Sequence, residues 1–248
     1  MRWGRLATLN YRGVPVPRVL GLGLLASALL ATVVAEGVQE VGAGGWGALV
    51  GSALVFAAGL IDDMVPIGPR GLRGHARSLL EGRMTTWILK VIVAVAAAVV
   101  VVALQPPRPG WVRVAGVVLI AACANVWNGL DVRPGRALKA FLVPGVAFAL
   151  WGDAGALPVE IGVLVGALVA MPFDLRELAM LGDGGANLLG FVAGLGLYAI
   201  LSDGGVLVAA VVAVGLNVVA DTLSFSRVIE TSGPLRWIDR LGRAAPDG

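Results

Sequence analysis

Eight stretches of the chain are apolar, nearly free of charge and long enough, or nearly long enough, to cross a bilayer as helices. They run at 17–35, 43–61, 85–104, 112–130, 139–152, 156–173, 185–202 and 204–221. A hydrocarbon layer about 30 Å thick needs roughly 20 apolar residues in helical form. The runs are continuous, whereas a barrel strand alternates, and lipid offers no partner to a free backbone N–H or C=O. The expected fold is therefore all-α, a polytopic transmembrane helix bundle of about eight spans. The fifth run is short, holds Pro144 and Gly145 and is followed by Asp153, so it is expected to be tilted, broken or only partly inserted.

Side-chain usage agrees, with 58% hydrophobic and 14% charged residues, far from the mixture typical of soluble domains. Cys123 is the one cysteine and His75 the one histidine, which excludes a disulfide framework, a cysteine zinc site and a histidine metal cluster. Arg2, Arg5, Arg12 and Arg18 precede the first run in the manner of a signal peptide. That run is too long for a signal and lacks a convincing cleavage site, so a retained span is expected. No fixed-period repeat or linker divides residues 1–248, which read as one integral membrane domain.

Charge placement sets the orientation. With the N-terminus in the cytoplasm, residues 1–18, 62–90, 131–139, 174–183 and 222–248 fall inside, and all of the 19 lysines and arginines but Arg108 and Arg113 lie on or near that side. The positive-inside rule selects this arrangement. The expected location is a multi-pass protein of the cell membrane. The 223–248 tail alternates apolar residues with Arg227, Arg236, Arg240 and Arg243. Pro234 could open a short helix with Leu235, Ile238 and Leu241 on one face, lying on the inner leaflet; a disordered basic tail is the alternative.

Three apolar runs end in acidic or amide clusters at this one face: Gly59-Leu60-Ile61-Asp62-Asp63, Asn125-Val126-Trp127-Asn128-Gly129-Leu130-Asp131, and Leu181-Gly182-Asp183-Gly184-Gly185. Each alone reads equally as a solvated helix end or cap; three on one side suggest a site for a divalent cation and a phosphorylated substrate. The 66–83 loop carries Arg70, Arg73, His75, Arg77 and Arg83, while Arg133, Arg136 and Lys139 follow Asp131. These are either the ordinary positive-inside signal or guanidiniums for phosphate oxygens, which Arg binds bidentately. Asn125, Asn128 and Asp131 recur every three residues and so share one helix face. Binding is the first reading of that face and interhelical hydrogen bonding the second. Asp183 lies among glycines that permit close approach of a ligand, or it caps the helix that follows. Lys90 is expected to snorkel to the membrane surface, and Glu160 and Asp221 to be interfacial charges.

Together these motifs resemble the polyprenyl-phosphate N-acetylhexosamine-1-phosphate transferases of glycosyltransferase family 4, the group that includes the phospho-N-acetylmuramoyl-pentapeptide translocase. Asn10-Tyr11-Arg12-Gly13-Val14-Pro15-Val16-Pro17 is also similar to the segment before that family's early spans. The resemblance implies Mg²⁺-dependent transfer of a sugar 1-phosphate from a UDP-sugar to polyprenyl (undecaprenyl) phosphate, with release of UMP, for cell-envelope glycan synthesis. It assigns Asp183 as the Mg²⁺ ligand, Asp62 and Asp63 as the catalytic acidic pair, and Asn125, Asn128 and Asp131 as lining of the nucleotide and catalytic pocket; Arg133 and Arg136 would add cationic contacts to substrate. The pattern departs at Pro134, where the family commonly has another Asp. An initial span and the histidine-containing loop near the C-terminal end also lack counterparts, and with that loop goes a source of donor recognition. The expected partners are the lipid phosphate, the UDP-sugar and the membrane, with no nucleic acid and with a homodimer left open. The alternative is a non-catalytic relative that binds polyprenyl phosphate or scaffolds envelope assembly. A transporter is disfavoured because polar groups are scarce within the runs.

Overall fold

The structure, a computed structural model, describes residues 6–10, 12–65, 74, 78, 80–82, 84–152, 157–223 and 225–243. Among these, each of the eight apolar stretches is one helix: α1 Leu20–Val38, α2 Gly42–Met64, α3 Thr86–Leu104, α4 Gly110–Leu130, α5 Arg136–Trp151, α6 Leu157–Leu175, α7 Gly182–Ile200 and α8 Asp203–Leu223. Seven are long and apolar enough to cross a membrane, α5 being the exception. Its 16 residues reach only about 24 Å at 1.5 Å per residue, and Pro144 lies inside it. The molecule is a multi-pass membrane protein built as an α-helical bundle. Two further helices follow, α9 Phe225–Thr231 and α10 Gly233–Arg240.

Helix α7 runs through the centre, against α4, α2, α5 and α1. Almost all of its residues are buried, and its small side chains let backbones meet, as expected where lipid supplies no hydrophobic drive between helices. A Cβ at Gly194 would stand 2.6 Å from the Ile120 Cα on α4. The opposite limit is α8, which packs mainly on α4 and turns Leu207, Val208, Val211 and Val212 outward. Bulk fills the remaining core, including fully buried Phe141, Phe148, Phe191 and Tyr198, with Phe141 and Phe148 edge to face at 6.5 Å.

One element has no helical period to announce it. Strands β1 Ala7–Leu9 and β2 Pro15–Pro17 pair antiparallel, with Thr8 opposite Val16. The Asn10 Oδ1 accepts the backbone N–H groups of Arg12 and Val14, both at 2.9 Å, an Asx turn that closes the hairpin. The hairpin is tied to the bundle by the Met180 N–H donating to the Pro17 carbonyl at 2.9 Å. It thus sits at the end of the bundle where α2, α4, α6 and α8 finish and α3, α5 and α7 begin.

Candidate functional site

At that end, α2 finishes in Asp62 and Asp63 while α3 starts from Thr85, whose hydroxyl accepts the Ile88 N–H and caps the helix. This start places two side chains of α3 beside Asp62. The Thr86 hydroxyl donates to Asp62 Oδ1. Lys90, one turn on, puts its Nζ 2.5 Å from Asp62 Oδ2 and 2.7 Å from Asp183 Oδ2. Lys90 therefore does not snorkel: its side chain is 10% exposed and bridges two carboxylates from different helices. An ammonium held between them supplies the charge that two adjacent carboxylates at a membrane edge require.

Asp183 lies in the first turn of α7, which has no side-chain cap, so the capping role weighed for it is absent. Two glycines bring it to α2. Gly182 adopts φ +68°, a left-handed conformation that a side chain would strain, and a Cβ there would meet the Asp63 Oδ2 at 2.6 Å. A Cβ at Gly59 would stand 2.6 Å from both the Asp183 carbonyl oxygen and the Gly184 Cα. Asp63 in turn accepts the Gly184 N–H at 3.3 Å and pairs with Arg18 at 2.7 Å. Arg18 also donates to the Asp63 carbonyl at 3.1 Å and the Thr8 hydroxyl at 2.8 Å, locking the hairpin onto the site.

The second cluster divides. The Asn125 amide donates to Asn217 Oδ1 on α8 at 2.5 Å, and Asn217 donates to the carbonyls of Ala122 and Ala213. This is the interhelical bonding that was the second reading of the Asn125 face. Asn125 also lines a cavity of about 20 Å³ with Lys90 and Asn187, room for a single water. The Asn187 Nδ2 is buried there with no hydrogen-bond partner among the described residues, and the Asn128 Oδ1 and Trp127 Nε1 are likewise unsatisfied.

Asp131 follows the end of α4 and lines a larger cavity of about 260 Å³, with Asn10, Arg133, Asp174, Glu177 and Met180. Burial, then the negative charge of Asp174, Asp183 and Asp63, holds its carboxyl well above the ordinary aspartate range, with Arg18 pulling the other way. Asp131 thus feels both other acidic clusters. Asp174 is 4% exposed and accepts the Gly135 N–H at 2.7 Å, fixing the loop between α4 and α5.

The cations near Asp131 are engaged by the protein itself. Arg133 is 3.7 Å from Glu230. Arg136, expected beside substrate, is instead 5% exposed and pairs with Asp239 of α10 through both its Nε, at 2.7 Å, and its second terminal nitrogen, at 3.1 Å. Glu160, expected as an interfacial charge, is 1% exposed within the bundle. Arg70, Arg73, His75, Arg77 and Arg83 lie outside the described residues. Thr86, Asp174 and Asn217 were not singled out from sequence, Arg18 was read only as one of the basic residues ahead of the first run, and Asn187, four residues after Asp183, was given no role.

Comparison with protein-family models, curated proteins and solved structures returns no match to the chain. What the site can do rests on its own chemistry. No group of three or more His, Cys, Asp or Glu poised to hold a metal occurs among the described residues. Mg²⁺ seldom uses such an all-protein cage, being bound through one or two carboxylates plus water and substrate phosphates. Asp62 and Asp183, close enough to share one ammonium, are oxygen donors of that kind, so the residues present fit Mg²⁺.

Proposed function

We propose that the protein transfers a sugar 1-phosphate from a UDP-sugar to polyprenyl phosphate, as a Mg²⁺-dependent phosphoglycosyl transferase related to glycosyltransferase family 4, with its site at the cytoplasmic face of the cell membrane. The observation that carries this reading is the convergence of Asp62, Asp63 and Asp183 with Lys90 and Arg18 at one end of a membrane bundle. Carboxylates and cations set side by side suit a reaction in which phosphates are held and their charge is redistributed. A site at the bundle's end also lets a lipid phosphate arrive laterally from the bilayer.

Asp183 would hold Mg²⁺, with Asp62 beside it. When bound, the ion offsets charge developing on the donor pyrophosphate. Lys90 neutralises Asp62 and Asp183 while the donor is absent and is placed to meet a phosphate oxygen when one arrives. Asp63, fixed by Arg18 and the Gly184 N–H, orients the acceptor phosphate. In the transfer an acceptor oxygen bonds to the sugar-linked phosphorus, the bond from that phosphorus to the UMP oxygen breaks, and UMP leaves. Asp131 and Arg133 border the cavity that would receive the rest of the donor.

The test is release of labelled UMP by purified protein with Mg²⁺, polyprenyl phosphate and a panel of UDP-sugars. Turnover is expected for at least one donor, and Asp63→Asn is expected to lower kcat by about 10² or more without rescue by excess Mg²⁺. No turnover with any donor would reject the transferase. A second reading, a non-catalytic polyprenyl-phosphate binder, is favoured by one feature: Lys90 and Arg18 already compensate the three carboxylates without a metal. It gains if lipid phosphate binds and no UMP appears.

A further inference from the structure

Helix α10 is mounted through one polar residue, Asp239, while its other side chains face outward. At 3.6 residues per turn, Leu235, Trp237 and Ile238 fall on one side and Arg236, Asp239 and Arg240 on the other. The side held by the bundle is that of Asp239, 9% exposed and gripped by Arg136 and, at 2.5 Å, by Arg243. The Lys139 Nζ donates to the carbonyls of Ile238, Asp239 and Leu241, each at 2.9 Å, fastening the helix end. The apolar side is left uncovered: Leu235 is 45% exposed, Trp237 66%, Ile238 47%, and Leu241 just beyond the helix 54%. An uncovered apolar face of this kind marks an interaction surface. Its position at the end of the spans puts that surface at the bilayer interface, where Trp is favoured.

We infer that α10 is a membrane-surface clamp: its apolar side enters the leaflet at the acidic end of the bundle, and Arg236 and Arg240 bind anionic lipid headgroups. Charge complementarity selects lipid as occupant, since basic side chains flanking an uncovered apolar face are the composition of interfacial helices. The segment from α9 to just beyond α10 holds the loop that borders the larger cavity. Asp239 grips Arg136 at the loop's end, Arg243 donates to the Pro134 carbonyl at 3.0 Å, and Glu230 of α9 faces Arg133 at 3.7 Å. Lipid engagement therefore steadies the segment carrying Asp131 and Arg133. This inference needs only the bundle and its membrane, and it stands or falls independently of sugar-phosphate transfer.

The test uses full-length protein with an environment-sensitive fluorophore on Ile238→Cys, or separately on Leu235→Cys, in a Cys123→Ala background. Each is placed in nanodiscs of phosphatidylcholine alone or mixed with phosphatidylglycerol. Expected are blue-shifted emission quenched by spin-labelled lipid, and slower deuterium exchange of residues 131–136 in the anionic discs. Retention of phosphatidylglycerol should fall about fivefold for each of Arg236→Gln and Arg240→Gln, the effect of about 1 kcal/mol per basic residue near an anionic surface. Water-like emission from both labels in both discs would overturn the inference and leave the face to a protein partner. Retention unchanged in the double variant, or equal exchange of 131–136 in the two lipids, would overturn it as well.

Discussion

Lys90 holds the acidic end together, and its removal has a definite expected cost. Lys90→Met leaves Asp62 and Asp183 facing each other without a counter-charge. Breaking a buried pair on one side costs about 3 kcal/mol or more, with the low end appropriate here because Asp183 is 36% exposed. Mg²⁺ should restore the variant more than it stabilises wild type, since no ammonium then competes with it for the two carboxylates. Thermal unfolding in detergent across a Mg²⁺ series checks both; a variant as stable as wild type, or indifferent to Mg²⁺, would show that the Lys90 bridge does not tie the helices together. Asp62, Asp63 and Asp183 were legible in the sequence because acidic clusters recur at one face, which is hard to ascribe to chance. The direction of Lys90 was not legible. Sequence gives a residue's depth in a span but not which neighbour its helix face meets, and that face is set by how α2, α3 and α7 pack.

Helix placement was legible to within a few residues, because apolar run length translates directly into span length; the contact between helices was not. Gly59 shows why, for in sequence it is one small residue among many, whereas in the bundle it is where α2 touches α7. Gly59→Ala is expected to force α2 from α7 and cost about 1–3 kcal/mol, the usual penalty of overpacking, with weaker Mg²⁺ response as Asp62 and Asp183 separate. Gly23→Ala, whose Cβ would meet nothing within 4 Å, is the control and should gain about 0.5–1 kcal/mol. Thermal unfolding of the two variants in one detergent separates packing from helix propensity; equal shifts would contradict the contact. The hairpin escaped the sequence reading because three-residue strands bounded by proline leave no period to detect. Helix α10 was anticipated from Pro234 and its apolar face, but its mounting through Asp239 was not, since Arg136 and Asp239 are far apart in the chain.

That mounting should also depend on pH. Burial raises the Asp239 carboxyl, but hydrogen bonds and charge from Arg136 and charge from Arg243 outweigh it, so the net position is below the ordinary aspartate value. The ionised form is the one favoured in the fold. The docking contribution is thus complete above the unfolded carboxylate pKa of about 3.9 and fades as pH falls through the lower folded value. A spin label on the exposed face of α10 should stay immobile from neutral pH down to about 4 and gain mobility only below it; Asp239→Asn should be mobile throughout. Mobility rising well above pH 4 would reverse the sign and point to another group.

The bundle joins three features at one end: the hairpin, which left no sequence signal, and the acidic cluster and C-terminal tail, which the sequence could only place on one side. Asp174 at the end of α6 accepts the Gly135 N–H at the start of α5, so these two helices form a hairpin that returns the chain to the acidic end whatever depth short α5 reaches. The parity of the spans is therefore the same at any depth of α5. Both the β-hairpin, through Arg18 and Asp63, and α10, through Asp239 and Arg136, belong to that same end. The basic side chains gathered there predict its side by the positive-inside rule, while Arg108 stays at the other end, donating to the Tyr198 and Leu201 carbonyls. A reporter fused after Gly248 should accordingly be cytoplasmic: fluorescent as a green fluorescent protein fusion and inactive as alkaline phosphatase. A phosphatase fused after Leu104, at the far end of α3, should be active. Phosphatase activity from the Gly248 fusion would invert the bundle, moving the acidic cluster away from cytoplasmic nucleotide sugars and with it the basis for the proposed donor.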